Sequence, residues 1–161
     1  MDLEDDIMTT IRDASTASTS WMEHKILEHI KQALRVTLYW KAPAVSIPRK
    51  LSSLQFTMKS FHRHLERVMT VEEEGGYLKE ISALKPNLER RIESLTGDHD
   101  RFRARIRQLM PELDGLHEWE EERFGSVCAA ICALLDDVDR HDRQEIDLLQ
   151  ESLLLDEGGE G

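Results

Sequence analysis

The sequence predicts an all-α protein folded as an up-down-up-down antiparallel four-helix bundle, and three observations carry that expectation. Four segments repeat apolar residues at alternating steps of three and four, the spacing of a single buried stripe on a helix. The segments run about 20 to 35 residues each and are joined by short stretches marked with Pro or Gly, which makes chain neighbours antiparallel. No run alternates apolar and polar residues as a half-buried strand does. The composition, 33% charged and 40% hydrophobic with 6% aromatic residues, suits helices packed through aliphatic side chains.

Residues 1–19 are mixed in character and rich in Ser and Thr, which predicts a mobile or loosely docked amino-terminal arm. Ser20-Trp21-Met22-Glu23 has capping-box spacing and predicts the start of the first helix. That helix is expected to run to about Lys41, with Met22, Ile26, His29, Ala33, Val36 and Trp40 as its seam. Pro43 and Pro48 bracket the first connection, and Pro48 suits the opening turn of a second helix. The second seam reads Leu51, Leu54, Met58, Phe61, Leu65, Val68 and Glu72, before Gly75-Gly76 ends the helix.

Tyr77 to Lys85 is a connection with room for a short helical turn, and Pro86 opens the third helix. Its seam is the most regular of the four: Leu88, Ile92, Leu95, His99, Phe102, Ile106 and Leu109. Pro111 and Gly115 mark the exit, unless Pro111 only kinks a helix that persists to Leu113. The fourth helix runs from about His117 to Leu155, with Phe124, Val127, Ile131, Leu134 and Val138 as its stripe. Carrying the same stepping forward gives His141, Glu145 and Leu148. The bundle is thus expected over residues 20–155, followed at 156–161 by a disordered acidic tail.

With 161 residues the chain is long enough for one domain with a real core. Its net charge of -11 is spread along its length, which argues against nucleic acid or a membrane surface as partner. The acidic start lacks the basic and apolar runs of a secretory signal, and no apolar stretch is long enough to span a bilayer. Cys128 and Cys132, four apart on one helix among Ala and Ile, read as small reduced core residues. A cytoplasmic protein is expected.

The chemistry lies in the seams. Each helix places an ionisable residue in its apolar stripe: His29, Glu72, His99, and the pair His141 and Glu145. In an antiparallel bundle, residues at one height straddle their connection symmetrically, since neighbouring helices rise equally by about 1.5 Å per residue. The midpoint of His29 and Val68 falls near residue 48, that of Val68 and His99 near 84, and that of His99 and His141 at 120, each at or close to a connection. Buried imidazoles and carboxylates are costly without partners, and an inward layer of them is how di-iron and di-manganese carboxylate sites are built.

The run from His64-Leu65-Glu66-Arg67-Val68 to Val71-Glu72-Glu73-Glu74-Gly75-Gly76-Tyr77 resembles the second helix of bacterial hemerythrin-like (HHE cation-binding) proteins. Glu28-His29 is similar to their first helix, Asp98-His99 to their third, and His141-x-x-x-Glu145 with Leu148-Leu149-Gln150 to their fourth. The similarity covers about Trp21 to Gln150. It implies that His29, Glu72, His99, His141 and Glu145 are metal ligands, with Glu72 and Glu145 bridging. The chain departs from the pattern at Val68, where a histidine precedes Glu72 by four residues in the family. It departs again at Arg103, where oxygen-carrying invertebrate hemerythrins have a second histidine on the third helix. His64 lies one turn, about 6 Å, too far along the axis to replace the residue at 68. His64 and His62 are expected on the bundle flank, and His24 and His117 on the surface near helix starts.

The resemblance implies a non-haem iron centre, either di-iron or a single iron, that binds, senses or detoxifies dioxygen, nitric oxide or peroxide. The same ligand types also suit other divalent metals. His99, His141 and Glu145 would hold one iron, and His29 with the Glu72 bridge a second, more open one. The competing reading is a metal-free bundle that serves as an interaction or regulatory module for a protein partner. A hydrolase ranks last, because the chain has no nucleophile motif and no glycine-rich phosphate loop.

Overall fold

The computed structural model describes the backbone of residues 3–41, 44–75 and 77–157, and the side chains of residues 20–41, 44–75 and 78–154. It contains α1 (Leu3–Tyr39), α2 (Ile47–Gly75), α3 (Tyr77–Leu84), a 3-10 turn (Pro86–Leu88), α4 (Glu89–Asp114) and α5 (Glu121–Glu157). The four long helices form the bundle expected from the seams. Helix α1 packs on α2 and α5, and α4 packs on α2 and α5, so the ring closes between the first helix and the last. The short α3 and the 3-10 turn make up the connection between α2 and α4.

Three seams lie where the periodicity puts them. Helix α2 buries Leu51, Leu54, Met58, Phe61, Leu65, Val68 and Glu72. Helix α4 buries Ile92, Leu95, His99, Phe102, Ile106 and Leu109. On α5 the buried stripe is Phe124, Val127, Ile131, Leu134, Val138, His141, Glu145 and Leu148. Pro111 does not end α4, which continues to Asp114 and buries Leu113. The Gly115 amide then donates to the Pro111 carbonyl at 3.0 Å and closes the helix end. Helix α5 begins at Glu121, four residues later than the expected start at His117.

The expected seam of α1 is corrected. Met22, Ile26, His29, Ala33 and Val36 lie on its exposed side, and Trp40 is only half-buried. The inward stripe is His24, Leu27, Lys31, Leu34 and Leu38, which also alternates steps of three and four. Lys31 is buried because its ammonium lies 2.8 Å from Glu28, 2.7 Å from Asp139 and 3.1 Å from Asp142, so the charge is paired as it leaves water. The start of α1 is corrected too. Ser20 to Glu23 sit inside the helix, and the span expected as an arm belongs to it from Leu3 onward. At the other end Lys50 donates to the carbonyls of Leu38 and Trp40, at 2.9 and 2.8 Å, satisfying carbonyls that α1 leaves open.

Pro43 and Gly76, expected as boundary residues, lie outside the described residues, as do residues 158–161 of the expected tail; α5 extends to Glu157. Among the described residues no helix is long and apolar enough to cross a membrane. Cys128 and Cys132 are free and half-buried.

The apolar interior falls into two clusters. One holds Leu27, Leu34, Phe61, Leu65, Val68, Met69, Phe102 and Val138 with their neighbours; the other holds Leu78, Leu88, Ile92, Leu95 and Leu148. On α4 and α5 the buried polar residues fall between them: His99 between Leu95 and Phe102, and His141 with Glu145 between Val138 and Leu148.

Candidate metal centre

At this level Glu72 is the hub. It is 3% exposed, and each of its carboxylate oxygens faces an imidazole from a different helix. His24 Nε2 on α1 lies 3.0 Å from Oε1, and His99 Nε2 on α4 lies 2.8 Å from Oε2. His141 Nε2 on α5 is 3.8 Å from the same Oε2 and 3.6 Å from Glu145 Oε2, one turn along its own helix. The His99 and His141 rings are 5.2 Å apart, and Phe102 meets the His141 ring edge-on at 5.5 Å.

All three imidazoles are held in the same sense. The outer nitrogen donates away from the centre: His24 Nδ1 to the Ser20 carbonyl at 2.8 Å, His99 Nδ1 to Glu73 Oε1 at 2.9 Å, and His141 Nδ1 to Asp98 Oδ2 at 2.9 Å. Such hydrogen bonds orient the rings and turn Nε2 inward, where on His24 and His99 it donates to Glu72; metal-ligating histidines are held by their outer nitrogen in the same way. Two groups of ligand atoms result, and within each they lie within 4.8 Å of one another: Glu72, His99 and His141 on one side, and His24, Glu72 and Glu145 on the other. Glu72 belongs to both, as a bridging carboxylate must. A third such group, His141, Asp142 and Glu145, overlaps them. Imidazole nitrogens and carboxylate oxygens at these separations fit a first-row divalent metal.

The electrostatics follow from crowding acids and imidazoles into a layer that is buried except at His24. The hydrogen bond from His24 to Glu72 outweighs burial and lifts the imidazole pKa to about 9, with the Ser20 carbonyl adding to the effect. Burial would raise the Glu72 carboxyl, but the imidazoles of His141, His24 and His99 overcome it and hold the group well below the usual carboxylate range. Burial and then the charge of Glu72 push Glu145 up to about 8, so it is a neutral acid at pH 7. Without metal, the charge of Glu72 is thus balanced by a proton on His24. Burial lowers the His141 pKa, but hydrogen bonds to Glu72 and Asp98 more than reverse this.

Of the residues expected at the site, Glu72, His99, His141 and Glu145 converge and His29 does not. His29 lies on the exposed face of α1, away from the core-facing stripe, and the helix brings His24 to the layer instead. Two signals in the sequence point to His24. It begins the second stripe of α1, and Pro48 is the midpoint between it and Glu72. His24, expected on the surface, is half-buried with its Nε2 against Glu72, whereas His117 does lie exposed, stacked on Trp119. His64 bonds Glu23 at 3.3 Å on the flank, as expected.

Val68 is buried in the apolar cluster one turn before Glu72. Arg103, at the other departure, braces the site from outside: its guanidinium binds Glu73 at 2.7 Å and Glu66 at 3.0 Å, and Glu73 in turn holds His99. A fourth acidic group, Glu28, Asp139 and Asp142, already holds a cation of the chain's own, the Lys31 ammonium.

No curated protein and no solved structure matches this chain. The hemerythrin HHE cation binding domain, however, matches residues 21–153, most of its length. That span contains every residue of the polar layer, and the four-helix architecture agrees with the match. The chain belongs to the hemerythrin HHE cation-binding domain family.

Proposed function

We propose that the chain binds iron in the layer formed by His24, Glu72, His99, His141 and Glu145, and through it binds, senses or detoxifies dioxygen, nitric oxide or peroxide. The observation that carries this reading is the Glu72 carboxylate, whose two oxygens face ligand atoms on opposite sides of one buried layer. Iron would supply the redox and ligand-binding chemistry toward such small molecules. The protein's share would be to present three Nε2 atoms inward, to offer Glu72 to both sides of the layer, and to limit water with the buried Val68, Leu95, Phe102 and Leu148 on either side. The two sides of the layer are unequal. His99 and His141 supply two imidazoles to one, whereas Val68 leaves His24 as the imidazole of the other, so a single tightly held iron is the expected minimum. Free Cys128 and Cys132 accord with a reducing cytoplasm.

One observation favours a second reading, a metal-free module for a protein partner. Among the described residues no buried side-chain nitrogen or oxygen lacks a hydrogen-bond partner, so the polar layer is satisfied from within. Metal content and melting temperature separate the two. Protein expressed with iron and purified without chelator is expected to carry near-stoichiometric metal. Added iron should also raise the melting temperature of the stripped protein, because a ligand present at about 100 times its Kd stabilises the native state by about 2.7 kcal/mol. A metal-free preparation that iron leaves unchanged would establish the second reading.

A further inference from the structure

Helix α1 has two apolar faces, and only one of them is used inside the bundle. On the outer face Trp21, Met22, Ile26, Val36 and Tyr39 leave 61%, 54%, 36%, 58% and 74% of their surfaces exposed. At about 150–250 Å² for a large side chain, this is roughly 600 Å² in one stripe, the upper end of what a monomer shows. The stripe is continuous: Met22, Ile26, His29, Ala33, Val36 and Trp40 keep the alternating four-three spacing of a coiled-coil seam, over about 26 Å of helix that ends one residue before Trp40. It also differs from the rest of a chain that is 33% charged and carries a net charge of -11. Lys25, which lies over the Trp21 ring at 4.6 Å, is the charged residue on this face, and no carboxylate interrupts it. Glu28, at the edge, is drawn off by Lys31 at 2.8 Å.

We propose that this face is a two-fold interface on which a second copy of the chain packs α1 against α1, antiparallel. Two acidic copies repel each other over most of their surfaces, and here they meet without opposing carboxylates. The stripe is self-complementary, as an isologous contact requires. Aligned antiparallel about the level of Lys31, Met22 faces Trp40 of the second copy, Ile26 faces Val36, and His29 faces Ala33. Covering both stripes buries about 1,200 Å², the lower bound of a specific interface, so the dimer forms at micromolar concentration rather than being obligate.

The test is sedimentation velocity of the full chain across the micromolar range, and it needs no metal. The wild type is expected to sediment at twice its 18.7 kDa mass at the upper end. Val36→Glu, and separately Met22→Glu, should weaken association at least tenfold with unchanged helical circular dichroism, since both residues are on the surface. Mixing Val36→Glu with Ile26→Lys should restore association, because the alignment sets 36 against 26. A wild-type monomer at every concentration, or a dimer that both glutamate variants leave intact, would overturn the proposal.

Discussion

His24 and Glu72 are 48 residues apart in the chain, yet they meet 3.0 Å apart at one height in the bundle. Pro48, in the first turn of α2, is their midpoint, so α1 descends to the connection and α2 returns by equal lengths. This contact puts His24, rather than His29, in the buried polar layer. Replacing His24 with Ala should lower iron affinity by more than the ten- to hundredfold typical of losing an outer support. His29→Ala should leave affinity unchanged. Competition against a chelator measures both, and a larger loss in the His29 variant would return the layer to the first seam.

The protons on the layer set a pH dependence. His24, with its pKa raised from 6.5 to about 9, and Glu145, raised from 4.5 to about 8, both hold a proton at pH 7. A metal must displace them, so iron affinity should rise with pH up to about 9, the His24 and Glu145 protons being released on binding at pH 7. Calorimetry in buffers of different ionisation enthalpy counts them. Stability of the metal-free protein runs the other way. The contribution of His24 is fully present below its unfolded pKa of 6.5 and lost as pH rises through 9. Glu145 keeps in the folded state a proton that the unfolded chain gives up above 4.5, so it too costs stability as pH rises through 8. The melting temperature of metal-free protein should therefore fall between pH 6.5 and 9; a rise over that interval would contradict the assignment.

Glu72, His99, His141 and Glu145 could be placed in one buried layer from the sequence because α2, α4 and α5 are each apolar on one face only, so a polar residue in the stripe stands out. Helix α1 is apolar on two faces, and the outward one reads better: its stripe keeps Met22, Ile26, Val36 and Trp40, whereas the inward stripe is broken by Lys31. Burial of Lys31 depends on Asp139 and Asp142, more than a hundred residues away, and no local pattern announces that pairing. The symmetry of heights did not expose the error either. His29 with Val68 and His24 with Glu72 have almost the same midpoint, so the wrong face passed a test that constrains only the axial position. Asp98 and Glu73 escaped notice because each precedes or follows a site residue directly and so looks like a solvated neighbour; only the packing of α4 against α5 and α2 turns them toward imidazoles.

Val68 is the place to restore an imidazole. It lies four residues before Glu72, the spacing of His141 to Glu145, and it is buried in the adjoining apolar cluster. Val68→His should add a ligand on the His24 side, raising iron affinity at least tenfold or the stoichiometry toward two. The metal-free variant pays for overpacking and a buried polar ring, by about 1–3 kcal/mol. Elemental analysis and thermal melts with and without iron check both arms. A variant that is destabilised and gains no metal would show that the second side of the layer is not a site.

Asp98 and Glu73 would act on a bound metal through the rings they hold. Asp98 accepts from His141 Nδ1 and is itself bound by Arg101; Glu73 accepts from His99 Nδ1 and is bound by Arg103. These bonds commit Nδ1 as the outward donor, so Nε2 is the nitrogen that faces the layer and would be offered to a metal. Asp98→Asn and Glu73→Gln keep the side-chain size and remove the negative charge, and each should cost ten- to hundredfold in iron affinity without unfolding the bundle. Nitrogen-15 NMR of metal-free protein separates this positioning effect from general damage. In the wild type, His141 should carry its Nδ1 proton, and in Asp98→Asn that tautomer should lose its preference. Arg103→Gln should reproduce the Glu73→Gln loss in weaker form, because it loosens the carboxylate without removing it. Unchanged affinity in all three variants would mean that the imidazoles are oriented by packing alone.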